Sequence, residues 1–155
     1  MSVLKEGDLA PAIKAKDENG ELITLEEYRG KKVVLYFYPK DDTPGCTKEA
    51  IGFTDMIDDF AAADTVILGV SKDSVKKHDK FVAKHELKIA LLSDEDGDVC
   101  ERYGTWVEKN MYGKKFMGIV RTTYLIDGAG TVVRAWPRVK VAGHAQDVLD
   151  AVRAL

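Results

Sequence analysis

Apolar residues along this chain fall into short continuous runs separated by stripes at helical spacing. Val33 to Tyr38 is uninterrupted and rich in β-formers. It predicts a central parallel strand covered on both faces. Thr65 to Ser71 predicts a second buried strand, and Ile89 to Asp94 a third, shorter one. Between these runs, Cys46, Ala50, Phe53, Ile57 and Phe60 recur on one face and predict a helix from about Cys46 to Ala62. Asp73-Ser74 supplies a cap for a helix running to about His85, and Val99 to Tyr103 reads as a helical turn. Further on, Thr122 to Asp127 and Thr131 to Trp136 flank a Gly-Ala-Gly turn and predict a hairpin. A last helix from about His144 carries Ala145, Val148, Leu149, Val152 and Leu155 on one stripe. At the other end, Ala12 to Lys16 and Glu21 to Thr24 read as strands about an Asn19-Gly20 turn. Thr24 then caps one helical turn that stops at Gly30.

Strand–helix–strand–helix followed by a hairpin and a terminal helix predicts an α/β fold. It is a thioredoxin-like sandwich with a central mixed β-sheet flanked by helices, to which an N-terminal β-hairpin and a segment from Glu95 to Gly118 are added. No repeat, low-complexity tract or linker interrupts the chain, so residues 1–155 are expected to form a single domain. Hydrophobic residues at 45% and charged residues at 32% fit a soluble globular protein. Net charge is −3 with no basic block, which argues against nucleic acid and against a membrane surface as partners. The apolar run is too short to cross a bilayer, and the first twenty residues hold no signal-peptide core. The expected location is the cytoplasm, where two cysteines stay reduced rather than form a disulfide framework.

The candidate chemistry lies in Tyr38 to Ile51, "YPKDDTPGCTKEAI", where Cys46 follows Thr-Pro-Gly at the start of a helix. A cysteine topping an apolar stripe can be a plain packing residue. Three features point instead to a reactive thiol. The loop leaves the carboxyl end of a central strand, where open α/β sheets bind ligands. A helix N-terminus offers unpaired N–H groups and the positive end of the helix dipole, a setting that favours thiolate, the nucleophilic form. The helical spacing also puts the sulfur at the head of the buried stripe, in a pocket rather than on an open surface. Pro39 and Pro44 stiffen the approach, and Thr43 offers a hydroxyl to whatever binds.

"YFYPKDDTPGCTKE" resembles the peroxiredoxin active-site signature, Pro-xxx-Thr-xx-Cys-xx-Glu, matched at Pro39, Thr43, Cys46 and Glu49. The Tyr-Pro-Lys-Asp and Thr-Pro-Gly-Cys elements are similar to those of the bacterioferritin comigratory (PrxQ) subgroup. So are "ILGVSKDSVKKHDKF", "LLSDEDGDVCERYG", "EKNMYGKKFMGIVRTTYLID" and "KVAGHAQDVL" downstream. The resemblance implies a thiol peroxidase that reduces hydrogen peroxide and organic hydroperoxides. It implies Cys46 as peroxidatic nucleophile, Thr43 as a hydrogen-bond partner of the peroxide and Pro39 as a shield against water. Arg121 would stabilise the thiolate and polarise the bound oxygen, and Glu49 would orient Arg121. Neither metal nor organic cofactor is implied. Thioredoxin, glutaredoxin or glutathione would be the reductant, and the subgroup implies a monomer.

The sequence departs from the family at the resolving step. Relatives carry a resolving cysteine five positions after the peroxidatic one or in the following helix, and here those sites are Ile51 and Val82. Cys100 is the only other thiol. Val99, Cys100 and Tyr103 would share the apolar face of a short helix, so a structural thiol is favoured over a resolving one. A Cys46–Cys100 disulfide would need Cα atoms within about 7 Å. The expectation is therefore a one-cysteine cycle completed by an external thiol. One alternative stays open: a peroxide sensor would pass oxidation from Cys46 to a partner. The sequence counts against a thiol–disulfide oxidoreductase or thioredoxin-like binding module, which normally uses a Cys-x-x-Cys pair that Cys46-Thr47-Lys48-Glu49 does not provide. His78, His85 and His144 are dispersed without ligand-like spacing, so no metal site is expected, and His85 reads as a helix-ending residue. "SDEDGD" lacks the pattern of a calcium loop and predicts a turn and helix start. Trp106 and Trp136 read as packing aromatics, and Met111-Tyr112-Gly113 as either packing or a pocket wall.

Overall fold

The computed structural model describes residues 3–155. Its strands are β1 (Lys14–Lys16), β2 (Leu22–Thr24), β3 (Lys32–Phe37), β4 (Thr65–Ser71), β5 (Ala90–Ser93), β6 (Trp106–Met111), β7 (Lys114–Ile119), β8 (Thr122–Ile126) and β9 (Val132–Trp136). Its α-helices are α1 (Pro44–Asp55), α2 (Ile57–Ala62), α3 (Val75–His85), α4 (Val99–Arg102) and α5 (His144–Arg153). Among the described residues, one sheet runs β2-β1-β5-β4-β3-β8-β9, with β6 and β7 paired as a separate hairpin. The strands β3, β4 and β5 are parallel, while β8 pairs antiparallel with β3 and β9 antiparallel with β8. This is the predicted mixed sheet.

The β3 run earns its central place because both of its faces are buried. Val33, Leu35 and Phe37 enter one core, which also holds Tyr124 of β8 and Val99 and Cys100 of α4. Val34 and Tyr36, with Tyr38 beyond the strand, enter the other core, beneath side chains of α1, α2, α3 and α5. Fully burying a side chain of this size is worth about 1.5–3 kcal/mol, so a residue from this run at a sheet edge would forfeit much of its contribution. The two cores are therefore separated by the sheet itself.

Several expectations change in detail. The predicted Cys46–Ala62 helix starts earlier, at Pro44, and is broken at Met56, whose N–H bonds back to the Phe53 and Thr54 carbonyls. That tightened turn leaves Phe53 and Phe60 fully buried, and it opens α2 on Asp58 and Asp59, which suit a helix N-terminus. Leu155 was placed on the terminal stripe, but α5 ends at Arg153 and Leu155 is exposed. The segment from Glu95 to Gly118 contains most of a hairpin, β6–β7, turning at Tyr112 and Gly113, both with positive φ. The early hairpin joins the main sheet, because Lys16 of β1 pairs with Ser93 of β5. The expected turn and helix start at Ser93 to Asp98 is organised by Asp94, whose carboxylate accepts the Val99 and Cys100 N–H groups at 3.1 and 2.8 Å.

Candidate active site

The loop that leaves β3 delivers Thr43 in an extended conformation as the cap of α1, with Pro44 at the first helical position. Proline fits there because its φ is already helical and its missing N–H is one that would find no intrahelical partner. The first backbone bond across the turn runs from Thr47 N–H to the Thr43 carbonyl, at 2.9 Å. The Gly45 and Cys46 N–H groups therefore lie ahead of the helical ladder, available to a bound anion or oxygen. Cys46 Sγ sits beside them in a residue that is only 1% exposed.

Register explains how Arg121, far away in sequence, reaches this sulfur. Thr122 pairs with Phe37, so the residue before β8 stands across from the residue after β3, at the edge where the loop begins. Arg121 Nη2 donates to Cys46 Sγ at 3.3 Å, and Nη1 donates to Glu49 Oε1 at 2.6 Å. One planar guanidinium thus spans residues a helical turn apart. Gly45 makes room for it, since a Cβ at that position would stand 3.1 Å from Arg121 Nη2.

Glu49 is buried, and its Oε2 has no hydrogen-bond partner. Burial pushes its carboxyl up to about 7, and the Arg121 charge pulls against that rise. For Arg121, desolvation works against the charged form, but Glu49 and Cys46 outweigh it and raise the guanidinium above its ordinary value. The cation facing the sulfur is therefore permanent.

Thr43 is half-buried, and its hydroxyl donates to the Lys40 carbonyl at 2.9 Å. With that proton engaged, its oxygen is left as an acceptor. Pro39 is exposed and lies with Arg121 on a groove of about 580 Å³, whose far wall includes Val107, Met111 and Phe116 of the β6–β7 hairpin. Cys46, Glu49 and Arg121 thus converge, with Thr43 at the helix cap and Pro39 on the groove. Cys100 does not join them. Its side chain is fully buried in the opposite core, where burial and the nearby Asp94 carboxylate raise its thiol well above the usual range.

Of the two readings of Met111-Tyr112-Gly113, the pocket wall holds for Met111, which lines the groove; the strands β6 and β7 on either side of that turn were not predicted. A second omission is a buried chain of polar groups behind the loop, linking Tyr38, Asp41 and His78. His85 does end α3, and its Nε2 lies 3.0 Å from Asp42 Oδ1. Trp106 and Trp136 are partly buried against the two cores, as packing aromatics.

Fold and site together define a class: a thioredoxin-like α/β protein with a thiol held at a helix N-terminus against an arginine that precedes the neighbouring strand β8. The AhpC/TSA family model matches residues 7–135, and the chain belongs to this family, as a peroxiredoxin of the Bcp/PrxQ branch. It is 46% identical to Peroxiredoxin Bcp of Bacillus subtilis over 147 residues, covering 95% of this chain and 94% of that protein. A solved structure of the Xanthomonas campestris bacterioferritin comigratory protein, described for its alkyl peroxide reduction activity, superposes with a TM-score of 0.88. The two are 46% identical, over 92% of this chain and 90% of that one. A cysteine-to-serine mutant of Xylella fastidiosa PrxQ superposes with a TM-score of 0.94 at 38% identity, over 99% and 98% of the two chains. Among the described residues no helix is long and apolar enough to cross a membrane.

Proposed function

We propose that this peroxiredoxin reduces hydrogen peroxide and organic hydroperoxides through Cys46, in a one-cysteine cycle completed by an external thiol. The observation that carries the reading is the 3.3 Å contact between the Arg121 guanidinium and Cys46 Sγ at the open end of α1. The Cys46 thiolate attacks the hydroxyl-bearing oxygen of the peroxide, in line with the O–O bond. A sulfur–oxygen bond forms, the O–O bond breaks, and its electron pair leaves on the departing oxygen. Arg121 and the first-turn amides stabilise that growing charge. Thr43 accepts a hydrogen bond from the attacked hydroxyl. A proton from solvent completes water or an alcohol, and Cys46 is left as sulfenic acid.

Recycling by an external thiol is supported by the separation of the two cysteines. Cys46 belongs to the core beneath α1 and Cys100 to the core on the other side of the sheet. Thioredoxin, glutaredoxin or glutathione would attack the sulfenic acid, release water and form a mixed disulfide, which a second thiol resolves. The carried-over roles are nucleophile for Cys46, transition-state stabiliser for Arg121, orienter of Arg121 for Glu49, substrate partner for Thr43 and shield for Pro39.

Stopped-flow peroxide reduction by wild type, Cys46→Ser and Cys100→Ser, each with several reductants, tests this reading. Loss of all activity is expected in Cys46→Ser alone. Intact mass after one equivalent of peroxide should show one added oxygen; loss of two hydrogens that depends on Cys100 would sink the one-cysteine cycle. Fast oxidation with poor turnover on every thiol reductant would favour the sensor reading.

A further inference from the structure

The peroxidatic loop is gripped from behind by α3. Asp42 has φ of 58°, in the left-handed region, and its carboxylate meets Lys84 at 2.7 Å and His85 at 3.0 Å. Its neighbour Asp41 turns inward. Asp41 Oδ1 accepts from the Tyr38 hydroxyl at 2.6 Å, and Oδ2 lies 2.6 Å from His78 Nδ1. The Asp41 N–H donates to Asp73 Oδ2 at 2.8 Å, and Ser71 Oγ donates to the same oxygen at 2.7 Å. Backbone held in a sparsely populated conformation persists where surrounding contacts over-determine it. Here two successive residues are fastened to one helix.

Hydrogen-bond chemistry fixes what His78 must be. Its Nε2 lies 3.0 Å from the Leu92 carbonyl, which can only accept, so Nε2 carries a proton. Its Nδ1 faces an Asp41 oxygen whose partner oxygen already receives the Tyr38 hydroxyl. A proton must therefore lie in the 2.6 Å contact between Nδ1 and Asp41 Oδ2, and with it every polar atom of the pair is satisfied. The residue is 0% exposed, so no water competes for either nitrogen. Asp41, Asp73 and His78 also bring three ligand-type atoms within 4.8 Å, but these atoms are spent on one another and on the loop.

We propose that His78 is a positioning residue for the peroxide reaction: buried and hydrogen-bonded to Asp41, it holds the Lys40–Thr43 turn and so fixes the cap of α1. The line of action is short. Asp41 anchors the turn whose Lys40 carbonyl receives the Thr43 hydroxyl, and Thr43 caps the helix whose first-turn amides flank Cys46. A misplacement on the order of 1 Å in such a turn can slow a reaction about a hundredfold.

The clamp rests on Cys46 being the nucleophile, and the test separates the two ideas. In nitrogen-labelled protein at neutral pH, NMR should show a proton on His78 Nε2 and a proton in the hydrogen bond between Nδ1 and Asp41. Asp41→Asn should keep both. Its amide keeps the geometry, accepting from Tyr38 and donating to Nδ1, so peroxide oxidation should stay within about threefold of wild type. Asp41→Ala and His78→Ala remove the fastening and should slow oxidation about ten- to a hundredfold. If His78→Ala does not fold, the Asn and Ala variants of Asp41 still decide. A wild-type His78 with no proton in the Nδ1–Asp41 contact, or Asp41→Ala oxidised at full speed, overturns the clamp. Wild type that fails to consume peroxide at all sinks the reading of Cys46 instead.

Discussion

Replacing Arg121 by methionine keeps the length of the side chain and removes its charge. The lost contacts are the 3.3 Å donation to Cys46 Sγ and the 2.6 Å donation to Glu49. A hydrogen bond to a charged group is worth about 1.5–3 kcal/mol, and about 1.4 kcal/mol is tenfold in rate. If the sulfur contact carries that value into the transition state, the second-order rate of Cys46 oxidation falls about 10- to 150-fold. Stability responds separately. Removing one partner of a buried ion pair costs about 3–5 kcal/mol when the other charge is stranded. Glu49 has an escape, because burial already pushes its carboxyl up to about 7 from an ordinary 4.5. A group whose folded value is raised contributes stability below the unfolded value and loses it as pH rises through the folded one. Arg121→Met should therefore unfold in urea nearly like wild type at about pH 5 and much more easily at about pH 8. Adding Glu49→Leu should restore stability at the higher pH but not the rate. Stopped-flow oxidation and urea melts read both quantities. Oxidation of Arg121→Met within about threefold of wild type, or recovery of rate in the double variant, would refute the assignment.

Gly45→Ala should leave stability equal or slightly higher, since alanine is the better helix residue by about 0.5–1 kcal/mol. It should nevertheless slow oxidation about tenfold, because the new Cβ would stand 3.1 Å from Arg121 Nη2; a melt paired with stopped flow checks the opposite signs. Phe116→Ala strips the groove wall, and kcat/KM for a bulky organic hydroperoxide should drop about three- to tenfold while hydrogen peroxide is unaffected. Buried His144, whose Nε2 lies 2.8 Å from Thr123 Oγ1, is pushed down to about 4 from 6.5, chiefly by burial. As pH falls from 6.5 toward 4 the unfolded chain gains a proton that the folded one refuses, removing up to about 3 kcal/mol. His144→Gln should flatten that acid limb in urea melts, and an unchanged limb would count against it.

What the sequence reveals here follows the range of the interaction. The β3 run and the α1 stripe are local patterns, so the central strand and the placement of Cys46 at a helix start were readable directly. Arg121 and Cys46 meet across 75 positions, and only the resemblance joined them, since β8 had first to pair with β3. The break at Met56 leaves no trace in composition, because the residues around it suit a helix. The β6–β7 hairpin was invisible for another reason. Its strands are mostly exposed or half-exposed, so they lack the alternation that marks a strand packed on one side. His78 is weighed in the sequence only as a metal ligand, since a buried side-chain hydrogen bond gives no hydrophobic period to detect.

These features bear together on the resolving step. A resolving cysteine at Ile51 on α1 or at Val82 on α3 would have to come within bonding reach of the Cys46 sulfur. In this chain α3 is fastened to the loop at Asp41 and Asp42, and Val82 is a partly buried packing residue beneath the same core as Cys46. A helix that holds the nucleophile's loop in place is poorly suited to unwinding on each turnover. The proposed one-cysteine cycle is compatible with this grip by α3, because an external thiol would need an opening to the sulfur, not the transport of a helix. With Cys46 only 1% exposed, that opening would lie at the groove side, between Pro39, Arg121 and the β6–β7 wall, where the loop is not held by α3.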